Sequence, residues 1–98
     1  MIRRIAPSGF IISVACHNAE AVHRAAEEGA DYALLAPIFA PLSKTAERPP
    51  LGLDVLREIA GRVKIPVIAL GGITAENAPL CVAAGAAGVA GITLFQRR

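Results

Sequence analysis

Aromatic side chains are scarce in this sequence, which holds three phenylalanines, one tyrosine and no tryptophan among 98 residues. That scarcity speaks against the stacking platforms and cationic tracks with which proteins hold nucleic acid. Charge is scarce as well: 18% of residues are charged, the formal net charge is +2, and Arg3, Arg4, Arg97 and Arg98 sit at the two ends. A basic stripe is therefore missing. The two cysteines, Cys16 and Cys81, form neither a CxxC pair nor a Cys/His set with ligand spacing, so they read as buried thiols of a reducing compartment rather than as a disulfide or a metal site.

Two apolar stretches bear on export and membranes. The run after the basic residues of "MIRRIAPSGFIISVAC" is only about seven residues long, with Ser13 inside it, at the short end for a signal peptide. Residues 78–95, "APLCVAAGAAGVAGITLF", lack charge over 18 residues, but Pro79, Gly85, Gly88 and Gly91 interrupt them. A buried helix followed by a buried strand accounts for them better than a spanning helix. The expectation is a cytoplasmic chain with no membrane or nucleic-acid partner.

What the sequence does have is apolar bulk. At 54% hydrophobic residues it is rich enough for a core and long enough for one domain, residues 1–98. Four short apolar runs recur: "FIISVA" (10–15), "DYALLAPIF" (31–39), "IPVIAL" (65–70) and "GVAGIT" (88–93). None alternates polar with apolar, and helix-length segments separate them, the pattern of parallel strands covered on both faces. The chain therefore reads as α/β with parallel (βα) units, four strands and about three helices.

The first helix is expected to open at Asn18 as N-cap, to place Glu20 in its first turn, to end at Gly29 and to bury Val22, Ala25 and Ala26. The second runs from about Leu53, with Leu53, Leu56, Ile59 and Val63 at helical spacing. The third starts near Asn77, which puts Pro79 in the first turn, where its missing amide costs nothing. "EEGADYALL" (27–35) and "AAGAAGVAGI" (83–92) repeat a helix end, a Gly-Ala turn and a strand. Between them, residues 40–52 form a long polar, proline-rich loop of the kind that carries function.

In parallel α/β folds ligands bind at the carboxyl ends of the strands. Here those ends supply Cys16-His17-Asn18, then Ala40 to Lys44, then Gly71-Gly72-Ile73-Thr74, and last Thr93-Leu94. Gly71 and Gly72 read either as a phosphate cradle, because glycine lets backbone amides approach an anion, or as a plain strand-to-helix turn. His17 is of the residue type suited to acid/base catalysis near neutrality, or it is a polar cap on the next helix. His23, inside the first helix, reads as a surface residue. Lys44 either holds an anionic group or is solvated.

The order of "SVACHNAEAVHRAAEEGADYALLAPIF", "SK…PPLGLDVL" and "IPVIALGGITAENAPLCVAAGAAGVAGITLFQ" resembles the thiamine phosphate synthase and thiazole tautomerase family, from about Phe10 to Gln96. The resemblance implies half of a TIM (βα)8 barrel, its carboxyl-terminal half. It implies thiamine biosynthesis: a transferase joining a thiazole phosphate to a hydroxymethylpyrimidine diphosphate, with the thiazole phosphate on the backbone at Gly71, Gly72, Ile92 and Thr93. Ser43 and Lys44 match the last two positions of the family's substrate loop, where Pro41 stands for a threonine, and Ala15 stands where the synthases carry a pyrophosphate serine. An alternative is thiazole tautomerase, with His17 as acid/base. A third is a non-catalytic phosphate-binding half-barrel.

In that family the pyrimidine pocket and the acidic residues that hold Mg2+ come from the amino half of the barrel. Residues 1–9 cannot supply them, so no cofactor is expected on this chain alone, and the synthase site is expected to be incomplete in it. Four strands also leave open edges and an uncovered inner face. The expected partners are a phosphorylated thiazole and either a second copy of the chain or a chain carrying the amino half.

Overall fold

Asn18 decides where the first helix begins. Its backbone is extended, and its side-chain oxygen accepts a hydrogen bond from the Ala21 amide at 2.8 Å, satisfying a donor that the first turn would otherwise leave bare. The helix that follows, α1 (Ala19–Glu27), buries Val22 and Ala25, while Ala26 is half-buried and His23 is exposed. It ends before Gly29, at φ +94, a left-handed turn that glycine adopts without strain.

The structure, a computed structural model, describes residues 11–40 and 49–91. Around α1 lie strands β1 (Ser13–Cys16) and β2 (Tyr32–Leu35); then come helix α2 (Gly52–Arg62), strand β3 (Val67–Ala69), helix α3 (Ala78–Ala83) and strand β4 (Gly88–Val89). The sheet order is β1-β2-β3-β4 and all three pairings are parallel, with Ala33 opposite Val14 and Val67, and Ala69 opposite Val89. The fold is a four-stranded βαβαβαβ sheet with three helices, as the spacing of the apolar runs predicts.

The strands are shorter than the apolar runs. Cys16, expected just past the first strand, is its last residue and is buried. The second run stops pairing as strand at Leu35, because the Ala36-Pro37 segment that follows has no proline amide to extend a ladder. Of the fourth run only Gly88 and Val89 are strand among the described residues; Ile92 and Thr93 lie outside them. In α2, Leu56 and Ile59 are buried and Leu53 half-buried, while Val63, expected on the same helical face, is extended and lies just past the helix end. Asn77 immediately precedes α3, and Pro79 falls in its first turn, where its missing amide breaks no bond.

Alternate residues of each strand face opposite ways, and the two faces differ. Cys16, Ala33, Leu35, Val67 and Ala69 point to the helices and join Val22, Ala25, Leu56, Ile59, Ile73 and Cys81 in one core. Burial of each large aliphatic side chain there contributes about 1.5–3 kcal/mol. On the other face, Tyr32, Leu34, Pro66, Ile68 and Ala90 line an open groove of about 340 Å³ that nothing among the described residues covers.

Candidate functional site

Three consecutive strands end side by side, and backbone hydrogen bonds stitch their ends together. Past β1, His17 is exposed and its ring Nδ1 lies 3.0 Å from the carbonyl oxygen of Ala36, the first residue after β2. A carbonyl oxygen only accepts, so Nδ1 carries the proton and Nε2 of the neutral ring is left with a free lone pair. Because Asn18 caps α1, His17 is not the helix cap that its position also allowed.

The segment from Ala36 to Ala40 lies between His17 and the glycine pair. The Ala36 amide donates to the Cys16 carbonyl at 3.1 Å, the Ile38 amide to Leu70 at 3.0 Å and the Phe39 amide to Gly71 at 3.1 Å. From the other side, the amides of Leu51 and Gly52 donate to the carbonyls of Pro37 and Ile38 at 2.8 and 2.9 Å. The buried Ile38 side chain anchors the segment to the core.

Gly71 and Gly72 have φ values of +97 and +67. A Cβ on Gly71 would lie 2.5 Å from Pro37 Cα, and one on Gly72 would lie 2.6 Å from the Ala40 oxygen and 2.9 Å from that of Phe39. Glycine is therefore required here by the approach of the 36–40 segment, whatever else the turn does. The same contacts orient the amides. The carbonyls of Leu70 and Gly71 both turn toward Ile38 and Phe39. In a trans peptide the N–H points opposite to the carbonyl, so the amides of Gly71 and Gly72 both point away from that segment, toward the β4 side of the sheet. Neither makes a hydrogen bond among the described residues. Successive amides turned to one side form an anion-binding concavity.

Downstream, Asn77 folds back on this turn. Its side-chain oxygen accepts from the Thr74 amide at 2.8 Å, its Nδ2 donates to the Gly72 carbonyl at 3.0 Å, and its own amide donates to Thr74 Oγ1 at 3.2 Å. Ile73, fully buried between them, pins the loop to the core. From the sequence Asn77 reads only as a helix start; a Thr and an Asn three residues apart before an apolar run is the capping spacing that marks the reciprocal pair.

Of the residues singled out from the sequence, His17, Gly71 and Gly72 thus meet at one end of the sheet. Ser43, Lys44, Ile92 and Thr93, as well as Pro41, lie outside the described residues. Burial pushes the thiols of Cys16 and Cys81 above the ordinary cysteine range, and both are free. No group of three or more His, Cys, Asp or Glu among the described residues could hold a metal ion. No helix among them is long and apolar enough to cross a membrane.

Residues 1–95 match a family model described as thiamine monophosphate synthase. The thiamine-phosphate synthase of Methanocella arvoryzae is 52% identical over 91 residues, which are 93% of this chain and 43% of that protein. The putative thiamine-phosphate synthase 2 of Aquifex aeolicus is 43% identical over 95 residues, covering 97% of this chain and 50% of its own. Among solved structures, a thiamine phosphate pyrophosphorylase from Pyrococcus furiosus superposes with a TM-score of 0.79 at 35% identity, over 93% of this chain and 42% of that one. The chain spans about half the length, or less, of these relatives.

Proposed function

The chain belongs to the thiamine monophosphate synthase family, and from that premise we propose that it supplies the thiazole-phosphate half of a synthase barrel in thiamine biosynthesis. The observation that carries this reading is the pair of amides at Gly71 and Gly72, which make no hydrogen bond among the described residues and are turned to one side of the sheet end by the bonds that the Leu70 and Gly71 carbonyls accept. The two amides bind the phosphate of the thiazole substrate, and Ile92, Thr93, Ser43 and Lys44, which match the family's substrate-binding positions in sequence, complete the site. Preorganised donors cost no rearrangement when the anion arrives.

In this reading the reaction is cytoplasmic and joins the thiazole nitrogen to a pyrimidine methylene as pyrophosphate leaves. Magnesium would be held by carboxylates of the amino half of the barrel and would stabilise the departing pyrophosphate. The open groove at Tyr32, Leu34 and Ile68 is the inner face that the amino half covers. A second copy paired about a twofold axis is the other way to close eight strands.

A second reading has its own observation. With Nδ1 donating to Ala36, His17 offers Nε2 as a base at the strand ends beside the phosphate turn. A thiazole tautomerase needs one group that removes a ring proton and returns it elsewhere, and no metal.

Calorimetric titration of the 98-residue chain with a thiazole phosphate and with its dephosphorylated alcohol tests the proposal. Binding at micromolar concentration that depends on the phosphate is expected. A folded chain that binds neither ligand would leave the glycine pair as a packing turn and the chain as a non-catalytic half-barrel.

A further inference from the structure

We infer that Asn77 is a positioning residue for the phosphate turn, an inference that rests on the phosphate reading of Gly71 and Gly72. Three successive carbonyls hold this turn. Leu70 and Gly71 accept from the amides of Ile38 and Phe39 at 3.0 and 3.1 Å, and Gly72 accepts from Asn77 Nδ2 at 3.0 Å. The first two donors belong to the backbone of the segment after β2. Only the third is a side chain.

Each carbonyl fixes the plane of its own peptide and hence the direction of the next amide. The planes on either side of the Gly72 Cα are held by Phe39 and by Asn77 respectively. With no Cβ, glycine has wide torsional freedom, so the φ of +67 at Gly72 needs both restraints to stay fixed. Asparagine suits the task because its two ends do opposite work. Oδ1 accepts from the Thr74 amide while Nδ2 donates to Gly72, and an amide side chain presents both functions in one plane. Asn77 is half-buried, so water competes only in part for these bonds. Thr74 Oγ1 accepts from the Asn77 amide without touching the Gly72 carbonyl, and it supplies a control within the same loop.

The test compares Asn77→Ala, Asn77→Leu and Thr74→Ala with the unaltered chain, by calorimetric titration with thiazole phosphate and by 15N relaxation of the Gly72 amide without ligand. Asn77→Leu keeps bulk where Asn77→Ala removes it, and the melting temperature of each variant reports folding. Both Asn77 variants are expected to bind thiazole phosphate about ten-fold more weakly, the loss of one preorganising hydrogen bond, with Gly72 more mobile and binding of the dephosphorylated alcohol little changed. Thr74→Ala is expected to bind within about two-fold of the unaltered chain. Equal weakening toward phosphate and alcohol would make Asn77 merely structural and overturn the inference. So would an unaltered affinity, or a Gly72 amide as ordered in Asn77→Ala as in the unaltered chain. Failure of the folded, unaltered chain to bind thiazole phosphate would instead remove the phosphate reading, and with it the role assigned to Asn77.

Discussion

His17 Nδ1 and the Ala36 carbonyl oxygen lie 3.0 Å apart, and the Ala36 amide in turn donates to the Cys16 carbonyl at 3.1 Å. The ring is thus tied to the end of β2 by a residue whose own backbone is tied to the end of β1. That arrangement selects the Nδ1–H tautomer and leaves Nε2 as the base.

In 15N spectra of the neutral ring, His17 is expected to show a protonated Nδ1 and an unprotonated Nε2. His23, exposed on α1, serves as the internal reference. An Nε2–H tautomer at His17 would contradict the assignment. If the tautomerase reading holds, His17→Ala abolishes tautomerisation while thiazole phosphate still binds; retention of full activity would exclude His17 as the acid/base.

Gly71→Ala and Gly72→Ala are each expected to destabilise the chain by about 2–4 kcal/mol, from the positive φ together with a Cβ forced against backbone. Gly61→Ala, in α2 where a Cβ meets nothing within 4 Å, is expected to be neutral or mildly stabilising. Denaturant unfolding measures all three. Equal stability of the Gly72 and Gly61 variants would contradict the close approach of Phe39 and Ala40. For the same reason a bulky or charged residue at Gly72 is a poor probe of phosphate binding, since it disturbs the fold as well as the site.

Burial raises the thiol pKa values of Cys16 and Cys81 in the folded chain. The native state then keeps protons that the unfolded chain gives up, so these groups lower stability as pH rises past the ordinary thiol range and leave it unchanged below. Unfolding midpoints are expected to fall above about pH 8.5, and less steeply in a Cys16→Ala/Cys81→Ala variant. A decline of equal slope in that variant would contradict the account.

The groove lined by Tyr32, Leu34, Pro66, Ile68 and Ala90 leaves apolar surface open on the inner face of the sheet. By itself the 98-residue chain is expected to sediment as a species larger than a monomer at micromolar concentration. Ile68→Asp should shift it toward monomer without loss of helical circular dichroism, because Ile68 lines the groove and is not part of the buried core. A monomeric unaltered chain would contradict the proposal that another barrel half covers this face.

Much of this architecture was legible in the sequence because it is local. Asn18, Pro79 and the continuous apolar runs each act through neighbours within one turn or one strand, and their spacing placed three helices and four parallel strands in the right order. The second and third apolar runs continue past the ends of their strands into Ala36-Pro37 and Leu70, whereas the first stops one residue short of Cys16, which still pairs with Leu35. His17 and the glycine pair were legible as candidates, but their alternatives were not separable. What separates them is distant in sequence: the Ala36 carbonyl for His17, and the backbone of Pro37 to Ala40 for Gly71 and Gly72. A glycine pair looks the same whether a ligand or another chain segment presses against it. Here the segment does, and its bonds to the carbonyls are what free the amides.

The most direct measurement of the phosphate cradle is a 15N–1H titration of the glycine-labelled chain with thiazole phosphate. The amides of Gly71 and Gly72 are expected to shift downfield together, with one dissociation constant, while Gly61 on α2 and Gly85 after α3 stay in place. Saturating ligand that leaves Gly71 and Gly72 unmoved, or that moves Gly61 and Gly85 as much, would contradict the cradle.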